Sequence, residues 1–478
     1  MGRILLKKTK IIATLGPACD NLQTMRSQIR AGVDVFRINS SHASLDDIGR
    51  LTKMVHSVSK SCGKPVAVIL DLQGPKIRIG EFIGGGVELN RGDIVTLRVS
   101  SRKSDGSFIP VAYRRFHEDI SVDSRILLDD GNIALEATGK KGKEITARVI
   151  HGGRLKDRKG INLPDASISA DPVTARDIKY LHAGIEADVD FVALSFVKSG
   201  SEIRRVKKII RLGKSHAEVI AKIERHEAVQ NMDEIIKETD GVMIARGDLG
   251  VELPAAKVPV IQDEFLRRCH YAAKPVIIAT QMMESMIKAP RPTRAEVSDV
   301  ATSVRGFADA VMLSAETATG KHPVETVCQM KLAAVEMEKF VHSHYSIPPW
   351  DWKPEDSPPT DRAIAHVACK LSELLGANAI AAITLTGWTV KKVASSHPGA
   401  NIFAFTPTEG VLRKLSLLRG VTPLRLKLKN DVTGNRPSIF SMLKRKKYIR
   451  PGDKLILVSS TNPGVANSTN LVSVEEIP

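Results

Sequence analysis

The sequence predicts an α/β fold built on a parallel (β/α)8 TIM barrel, and three observations lead to it. Short apolar runs rich in β-branched residues alternate with longer stretches that have helical spacing. Eight such runs occur, three before and five after an interrupting segment of roughly a hundred residues. Most of these runs end in polar or charged residues. Because the carboxyl ends of parallel barrel strands meet at one mouth, these polar residues predict an active site there.

The barrel elements follow in order along the chain. The first three strands are predicted at residues 10–14, 33–38 and 66–70. Helices at 22–30 and 45–61 separate them, and Gly32 and Gly63 act as C-terminal stops. A helix near 172–183, with Pro172 close to its start, resumes the alternation. The other five strands are predicted at 191–195, 219–222, 241–245, 275–279 and 310–313.

The interrupting segment has a different sequence pattern, with glycine-rich turns between short strands of alternating apolar and polar residues, such as 94–99 and 144–150. It predicts an inserted β domain. Residues 346–360 contain five prolines and predict a linker, after which helices and strands alternate again in a smaller open α/β domain. The predicted division is barrel at 1–72, inserted domain at 73–170, barrel at 171–345, linker at 346–360 and C-terminal domain at 361–478.

Composition excludes several classes of protein. With 42% hydrophobic and 26% charged residues, the chain is not of the disordered class. Five dispersed cysteines without a C-x-x-C pair indicate neither a disulfide framework nor a zinc site. We find no secretory signal and no apolar run of the roughly 18 residues that a membrane span needs, so we expect a cytoplasmic protein. The net charge of +17 fits a polyanion partner, which is nucleic acid, an anionic membrane or a small phosphorylated substrate.

One strand end carries a lysine and a carboxylate. In the run 219–224, period-two alternation sends Lys222 and Glu224 to the same side. A salt bridge within the barrel would explain this pair alone. However, Asp248 lies at the end of the next strand, after Gly247, where the backbone can approach a ligand closely. Two neighbouring carboxylates suit Mg²⁺ or Mn²⁺, and a lysine beside the metal would neutralise a bound anion.

Further candidates lie at other strand ends. Arg37 and Arg78 are candidates for a fork that holds phosphate, although most single arginines are solvated surface charges. Thr280 is most simply the N-cap of a helix at 281–287, a role that is compatible with a catalytic hydroxyl. P-loop, dinucleotide-type and protein-kinase glycine motifs do not occur.

These motifs together resemble those of the pyruvate kinase family, from about residue 8 to the carboxyl terminus. The matching segments are RINSSH at 37–42, DLQGPKIR at 71–78, KGINLP at 159–164, KIE at 222–224, ARGDLG at 245–250, ATQMMESM at 279–286 and PRPTRAE at 290–296. The resemblance implies a barrel, a β-barrel lid domain inserted after the third strand, and a C-terminal domain for regulation and subunit contacts. It also implies a homo-oligomer, expected to be a homotetramer.

The resemblance further implies transfer of the phosphoryl group of phosphoenolpyruvate to ADP, the last step of glycolysis. Glu224 and Asp248 would hold the divalent metal, Lys222 would face the transferring phosphoryl group, and Gly247 would contribute to substrate binding. Arg37 and Arg78 would bind phosphoryl oxygens, and Thr280 would lie beside the methylene carbon that is protonated to give pyruvate. The nucleotide side is implied to include Asn39, His42, Arg78 and Lys159, with Lys159 arriving on the lid.

Two departures from the family pattern affect ligand requirements. Leu72 and Lys76 stand where many members have a potassium-binding threonine and a glutamate, so we expect Lys76 to replace K⁺ and K⁺ not to be required. The segment TLTGWT at 384–389 resembles the effector-phosphate loop, with Thr384, Thr386, Gly387 and Thr389 retained. Leu385 and Trp388 replace residues that are basic in some members, so we expect a weak or altered response to sugar phosphates.

Two other functions stay open from sequence. A magnesium-dependent, enolate-forming lyase or aldolase of the phosphoenolpyruvate-utilising barrels would also place a Glu and an Asp on a divalent ion, but would not depend on a nucleotide. A basic nucleic-acid-binding scaffold would explain the net charge and the cluster at 444–447. No RNA module or recognition helix accompanies that cluster, so neither nucleic acid nor a membrane is expected as a partner.

Overall fold

The computed structural model describes residues 6–166, 168–169, 171–344, 359–429, 431–461 and 468–478. Eight parallel strands pair in a closed ring, which confirms the predicted barrel. Each lies within about two residues of its predicted bounds. In chain order the barrel strands are Lys10–Thr14, Val35–Asn39, Ala67–Asp71, Phe191–Leu194, Glu218–Ile223, Gly241–Ala245, Val276–Ala279 and Ala310–Leu313.

Helices surround the barrel, and several of them begin at side-chain caps, namely Asn21, Ser44, Thr174 and Thr293. Gly32 and Gly63 end the first two helices at positive φ, as predicted. The helix expected near Pro172 starts later, because Thr174 and Asp177 form a capping box at its first turn. The α-helices of the barrel are Leu22–Ala31, Leu45–Cys62, Ala175–Glu186, Gly200–Leu212, His226–Gln230, Met232–Glu238, Arg246–Glu252, Val258–Ala272, Arg294–Arg305, Ala315–Ala318 and Pro323–His344, and the 3₁₀ helices are Ala255–Lys257 and Glu284–Ile287.

The segment between the third and fourth barrel strands is a sheet-rich domain with its own apolar core. Its six-stranded sheet runs from the edge strand Ile161–Asn162 to the edge strand Ile109–Val111, and it does not close into a ring. The inserted β domain is therefore confirmed as a sheet-rich domain, and its six-stranded sheet is open. Its strands are Gly86–Leu89, Ile94–Val99, Ile109–Val111, Arg125–Leu128, Ile133–Lys141, Glu144–His151, Gly153–Lys156 and Ile161–Asn162, with a short helix at Phe116–Asp119.

The C-terminal part is an open five-stranded α/β sheet, as predicted. Four of its strands are parallel and the last is antiparallel. Of the predicted linker, residues 346–358 lie outside the described residues. The strands are Ala379–Ile383, Asn401–Thr406, Val421–Arg425, Lys454–Ser459 and Leu471–Glu476, and the helices are Thr360–Leu374, Trp388–Ala394, Glu409–Leu415 and Val432–Arg445.

The C-terminal domain contacts the barrel at the amino ends of the barrel strands. Arg413 pairs with Asp188 and Asp190 at 2.7 Å each, just before the fourth strand. Lys391 pairs at 2.8 Å with Glu218, the first residue of the fifth strand. The carboxyl ends of the strands therefore lie away from this contact. Among the described helices, none is both long enough and apolar enough to cross a bilayer.

Candidate active site

The fifth barrel strand places the buried side chain of Lys222 among several oxygen atoms. The Nζ atom of Lys222 lies 2.8 Å from Oε1 of Glu224, as expected from alternation along the strand. It also lies 2.7 Å from Oγ of Ser195 and 3.1 Å from Oδ1 of Asp71. Three neighbouring barrel strands thus converge on one ammonium group.

Electrostatics keep this lysine charged. Burial alone would lower the pKa of Lys222, but the carboxylates of Asp71 and Glu224 outweigh burial and raise the pKa above its ordinary value. Burial would likewise raise the pKa of Asp71, but Lys222 and Arg37 hold that pKa below its ordinary value. The site therefore holds a charged Lys222 ammonium beside an ionised Asp71 carboxylate at neutral pH.

Arg37 enters the same group from the second strand. Its Nε atom lies 2.7 Å from Oδ2 of Asp71, and its Nη1 atom donates to Oγ1 of Thr14 at 3.1 Å. Asp71 therefore orients both Arg37 and Lys222. Asp71 and Ser195 were not among the residues for which the sequence predicted a role. Asp71 ends the third barrel strand and Ser195 directly follows the fourth, and these positions were the signal that could have identified them.

Glu224 and Asp248 offer carboxylate oxygens on adjoining segments. Glu224 is 2% exposed, and its Oε2 atom accepts a hydrogen bond from the Phe196 N–H at 2.7 Å. Asp248 lies half-buried in the first turn of the helix Arg246–Glu252. Burial raises the pKa of Glu224; Lys222 opposes this rise and the Asp248 charge adds to it. A divalent cation would relieve the repulsion between the two carboxylates, so this donor set fits Mg²⁺ or Mn²⁺.

Thr280 follows the seventh barrel strand, but it is not a helix N-cap. The predicted helix at 281–287 is reduced to the 3₁₀ helix Glu284–Ile287, because Thr280 and Gln281 both have positive φ, at 67° and 56°. The Thr280 hydroxyl oxygen accepts from the Gly247 N–H at 2.8 Å, and the hydroxyl donates to the Ala279 carbonyl at 2.6 Å. The loop therefore holds the hydroxyl beside the start of the helix that carries Asp248.

The predicted nucleotide-side residues lie on two parts of the molecule. Asn39 ends the second strand in register with Asp71, and its side chain accepts from the Ser41 N–H at 3.1 Å. The adjacent His42 is exposed. Lys159 lies in the inserted domain, where its Nζ is 2.6 Å from Oδ1 of Asp129.

The two arginines predicted to form a fork are not in contact in the described structure. Arg37 is 9% exposed and bonded inside the barrel mouth. Arg78 pairs in an isolated bridge with Gly160 of the inserted domain, and its Nη1 donates to the Arg158 carbonyl at 3.0 Å. An anion held by both arginines would therefore lie between the barrel and the inserted domain.

The two positions that depart from the family pattern also lie apart. Leu72 is fully buried in the apolar core of the barrel. Lys76 is half-buried and lines a narrow cavity of about 20 Å³ between the inserted domain and the barrel, together with Asp248. The Lys76 side chain therefore faces the same cavity as Asp248.

In the C-terminal domain, three hydroxyls of the segment 384–389 already have partners. Thr384 accepts from the Gly387 N–H at 2.8 Å, and Thr386 accepts from the Trp388 N–H at 3.4 Å. Thr389 shares a 2.6 Å hydrogen bond with Thr469. The indole N–H of Trp388 donates to Asp361 at 2.5 Å. The loop is thus held by bonds within its own domain.

Comparisons with known proteins agree with this geometry. Residues 6–327 match the family model for the pyruvate kinase barrel domain, and residues 362–475 match the model for the pyruvate kinase alpha/beta domain. The chain is 37% identical to pyruvate kinase 2 of Synechocystis sp. over 484 residues, covering 99% of this chain and 80% of that protein. Pyruvate kinases of Methylorubrum extorquens (37% identical, 98% of this chain and 97% of the relative) and Thermotoga maritima (36% identical, 99% and 100%) are similarly related. The chain therefore belongs to the pyruvate kinase family of phosphotransferases.

Proposed function

We propose that this enzyme transfers the phosphoryl group of phosphoenolpyruvate to ADP, giving pyruvate and ATP in the last step of glycolysis. The observation that carries the proposal is the meeting of Lys222, Asp71 and Glu224 at one buried point of the barrel mouth. Phosphoryl transfer places charge on oxygens in the transition state, and positioned cations stabilise that charge.

Each side chain of the mouth has a proposed task. Glu224 and Asp248 would hold Mg²⁺ or Mn²⁺, which supplies positive charge for the substrate oxyanions. Lys222 would face the transferring phosphoryl group, and Asp71 and Ser195 would fix its ammonium in place. Arg37, which Asp71 also holds, would bind a phosphoryl oxygen. The substrate would thus meet a preorganised set of charges, which removes the reorganisation cost from the transfer step.

The second half of the reaction needs a proton at the methylene carbon of the enolate. Thr280 would lie beside that carbon, where its hydroxyl joins a network that delivers the proton. Support comes from its position, because the Gly247 N–H fixes the hydroxyl oxygen of Thr280. Gly247 would also let the substrate approach the backbone closely, because it carries no side chain.

The nucleotide would bind between the mouth and the inserted domain. Asn39 and His42 would contact it from the barrel, and Arg78 and Lys159 from the inserted domain. Lys159 is paired with Asp129, a contact from which the phosphates of ADP would draw the ammonium. Closure of the inserted domain would then exclude water from the transferring group.

The direct test is pyruvate formation from phosphoenolpyruvate and ADP with Mg²⁺, with ATP measured in parallel. Equal amounts of the two products are expected. A lyase or aldolase would consume phosphoenolpyruvate without ADP, and a nucleic-acid-binding scaffold would retain DNA in a steeply salt-dependent manner without turnover. Either result would refute the proposal.

We also propose that K⁺ is not required. Leu72 offers no oxygen and is buried in the apolar core, while Lys76 places an ammonium on the side of Asp248. Activity with tetramethylammonium as the only monovalent cation should equal activity in KCl. The double variant Leu72→Thr/Lys76→Glu, which restores the pattern of many family members, should gain stimulation by K⁺. A large loss of wild-type activity without K⁺ would contradict the proposal.

Regulation, domain division and assembly are proposed on separate grounds. A weak or altered response to sugar phosphates is supported by the partners of Thr384 and Thr389, and saturation curves with ribose 5-phosphate, fructose 1,6-bisphosphate or AMP test it.

The separate apolar cores of the barrel, the inserted domain and the C-terminal domain support division at 72/73, 170/171 and the 346–360 linker. A cytoplasmic homotetramer is proposed from family membership, and light scattering after gel filtration tests the tetramer.

A further inference from the structure

The inserted domain contacts the barrel through two residues that adjoin the proposed metal ligands. Arg225 follows Glu224 directly in the chain, and Glu252 ends the seven-residue helix Arg246–Glu252 that carries Asp248 in its first turn. Neither residue has a part in the phosphoryl-transfer scheme above, and both are at least nine-tenths buried.

Glu252 meets the inserted domain through a side-chain hydrogen bond. The amide Nδ2 of Asn162, on the strand Ile161–Asn162, donates to Oε1 of Glu252 at 3.3 Å. Glu252 is only 3% exposed, and within the described residues its Oε2 atom has no hydrogen-bond partner. The basic groups nearest to Oε2 are the Nδ1 atom of His226, at 3.7 Å, and the Arg225 guanidinium, at 3.8 Å. A buried carboxylate with so few partners depends strongly on each of them.

Arg225 reaches the returning end of the inserted domain. Its Nη2 atom donates to the carbonyl of Ala166 at 3.1 Å, and its Nε atom donates to Glu227 at 2.9 Å. The side chain therefore links the segment after Glu224, the helix end at Glu252 and the inserted domain. Of these contacts, the one with the Ala166 carbonyl joins the barrel to the inserted domain.

Asp248 and Glu224 lie close in sequence to Glu252 and Arg225, so both proposed metal ligands can respond to the contact with the inserted domain. Asp248 and Glu252 are four residues apart on one short helix, so they lie on the same face and move together. Glu224 and Arg225 are neighbours at the end of the fifth strand. A cavity between the inserted domain and the barrel has a volume of about 20 Å³, enough for about one water molecule. Residues of both domains line this cavity, among them Asn162, Arg225 and Glu252.

We propose that Arg225 and Glu252 form a clasp that couples closure of the inserted domain to the placement of Glu224 and Asp248. The two clasp residues are positioning residues, and the inference rests on the proposed function. When Asn162 and Ala166 dock, the clasp fixes the strand end and the helix that carry the metal ligands. When the inserted domain opens, both segments lose these contacts, so tight metal binding and water exclusion occur together.

The test exchanges donor and acceptor across the contact. Asn162→Asp places a carboxylate against Glu252, Glu252→Gln retains an acceptor, and Asn162→Asp/Glu252→Gln reverses the direction of the hydrogen bond. The matched control is Asn90→Asp, the same change at an exposed position of the inserted domain. Mn²⁺ affinity is measured by calorimetry with phosphoenolpyruvate and ADP present, amide exchange is followed at residues 161–162 and 246–252, and steady-state kinetics are recorded.

Asn162→Asp is expected to weaken Mn²⁺ binding by about tenfold and to speed amide exchange at residues 161–162 and 246–252. An effect of this size corresponds to the loss of one buried hydrogen bond. The double variant should return to within about threefold of wild type, as should Glu252→Gln and Asn90→Asp. Unchanged Mn²⁺ affinity and exchange in Asn162→Asp, or failure of the double variant to recover, would overturn the clasp. Absence of wild-type turnover would instead overturn the proposed function, and the exchange measurements would still report on the clasp.

Discussion

Replacing Lys222 by Met tests the charge arrangement on which the proposed chemistry depends. The substitution keeps an unbranched side chain of similar length and removes the ammonium that lies 2.7–3.1 Å from Ser195, Glu224 and Asp71. Two buried carboxylates lose their shared cation. Removing one partner of a buried pair costs about 3 kcal/mol of folding free energy or more.

The loss of activity should exceed the loss of stability. Removing a single preorganised donor to developing negative charge costs about 10²–10³ in kcat, or about 3–4 kcal/mol. Lys222 carries a full charge, so kcat for pyruvate formation should fall by at least about 10³, equivalent to about 4 kcal/mol.

The matched control is Lys10→Met, the same substitution at another buried barrel lysine. Lys10 starts the first strand at the opposite end of the barrel, where its Nζ donates to the Val421 carbonyl at 2.6 Å. Burial lowers the pKa of Lys10 to about 8, so its charge is already costly and its loss should be tolerated. kcat in the control should stay within about twofold of wild type. If folded Lys222→Met kept more than about a tenth of wild-type kcat, Lys222 would not be the phosphoryl-facing cation.

Three further predictions follow from the same structure. Asp248→Asn should weaken Mn²⁺ binding roughly 100-fold, about 2.7 kcal/mol, in calorimetry, because it removes one of two proposed anionic ligands. Thr280→Val should lower kcat by about 10², whereas Thr280→Ser should retain most activity; equal losses would argue against a role for the hydroxyl. Burial, with a contribution from Arg419, lowers the pKa of His270 from about 6.5 to about 4, so folding disfavours its protonation. Stability from His270 is complete above about pH 6.5 and is lost as pH falls towards 4; between pH 7.5 and 5, urea unfolding should show about 2 kcal/mol more loss for wild type than for His270→Phe.

Local pattern was sufficient for the elements of the fold and for one part of the site. The spacing of apolar residues predicted all eight barrel strands. Two-residue alternation predicted that Lys222 and Glu224 lie on the same side of the fifth strand. It failed at Thr280, where the pattern of a helix start is overridden by a loop with positive φ that bonds to Gly247. The sequence motifs by themselves also resemble those of the family.

What the sequence determined by itself was thus the order and type of the strands and helices, because those depend on neighbours within a few residues. Only the tertiary structure decided which strand ends touch. Asp71 meets Lys222 from another strand, Arg37 is committed to Asp71, and Arg78 belongs to the inserted domain. The contact between Asn162 and Glu252 joins residues 90 positions apart. Such contacts are set by barrel closure and by the docking of the inserted domain, and no periodicity along the chain encodes them.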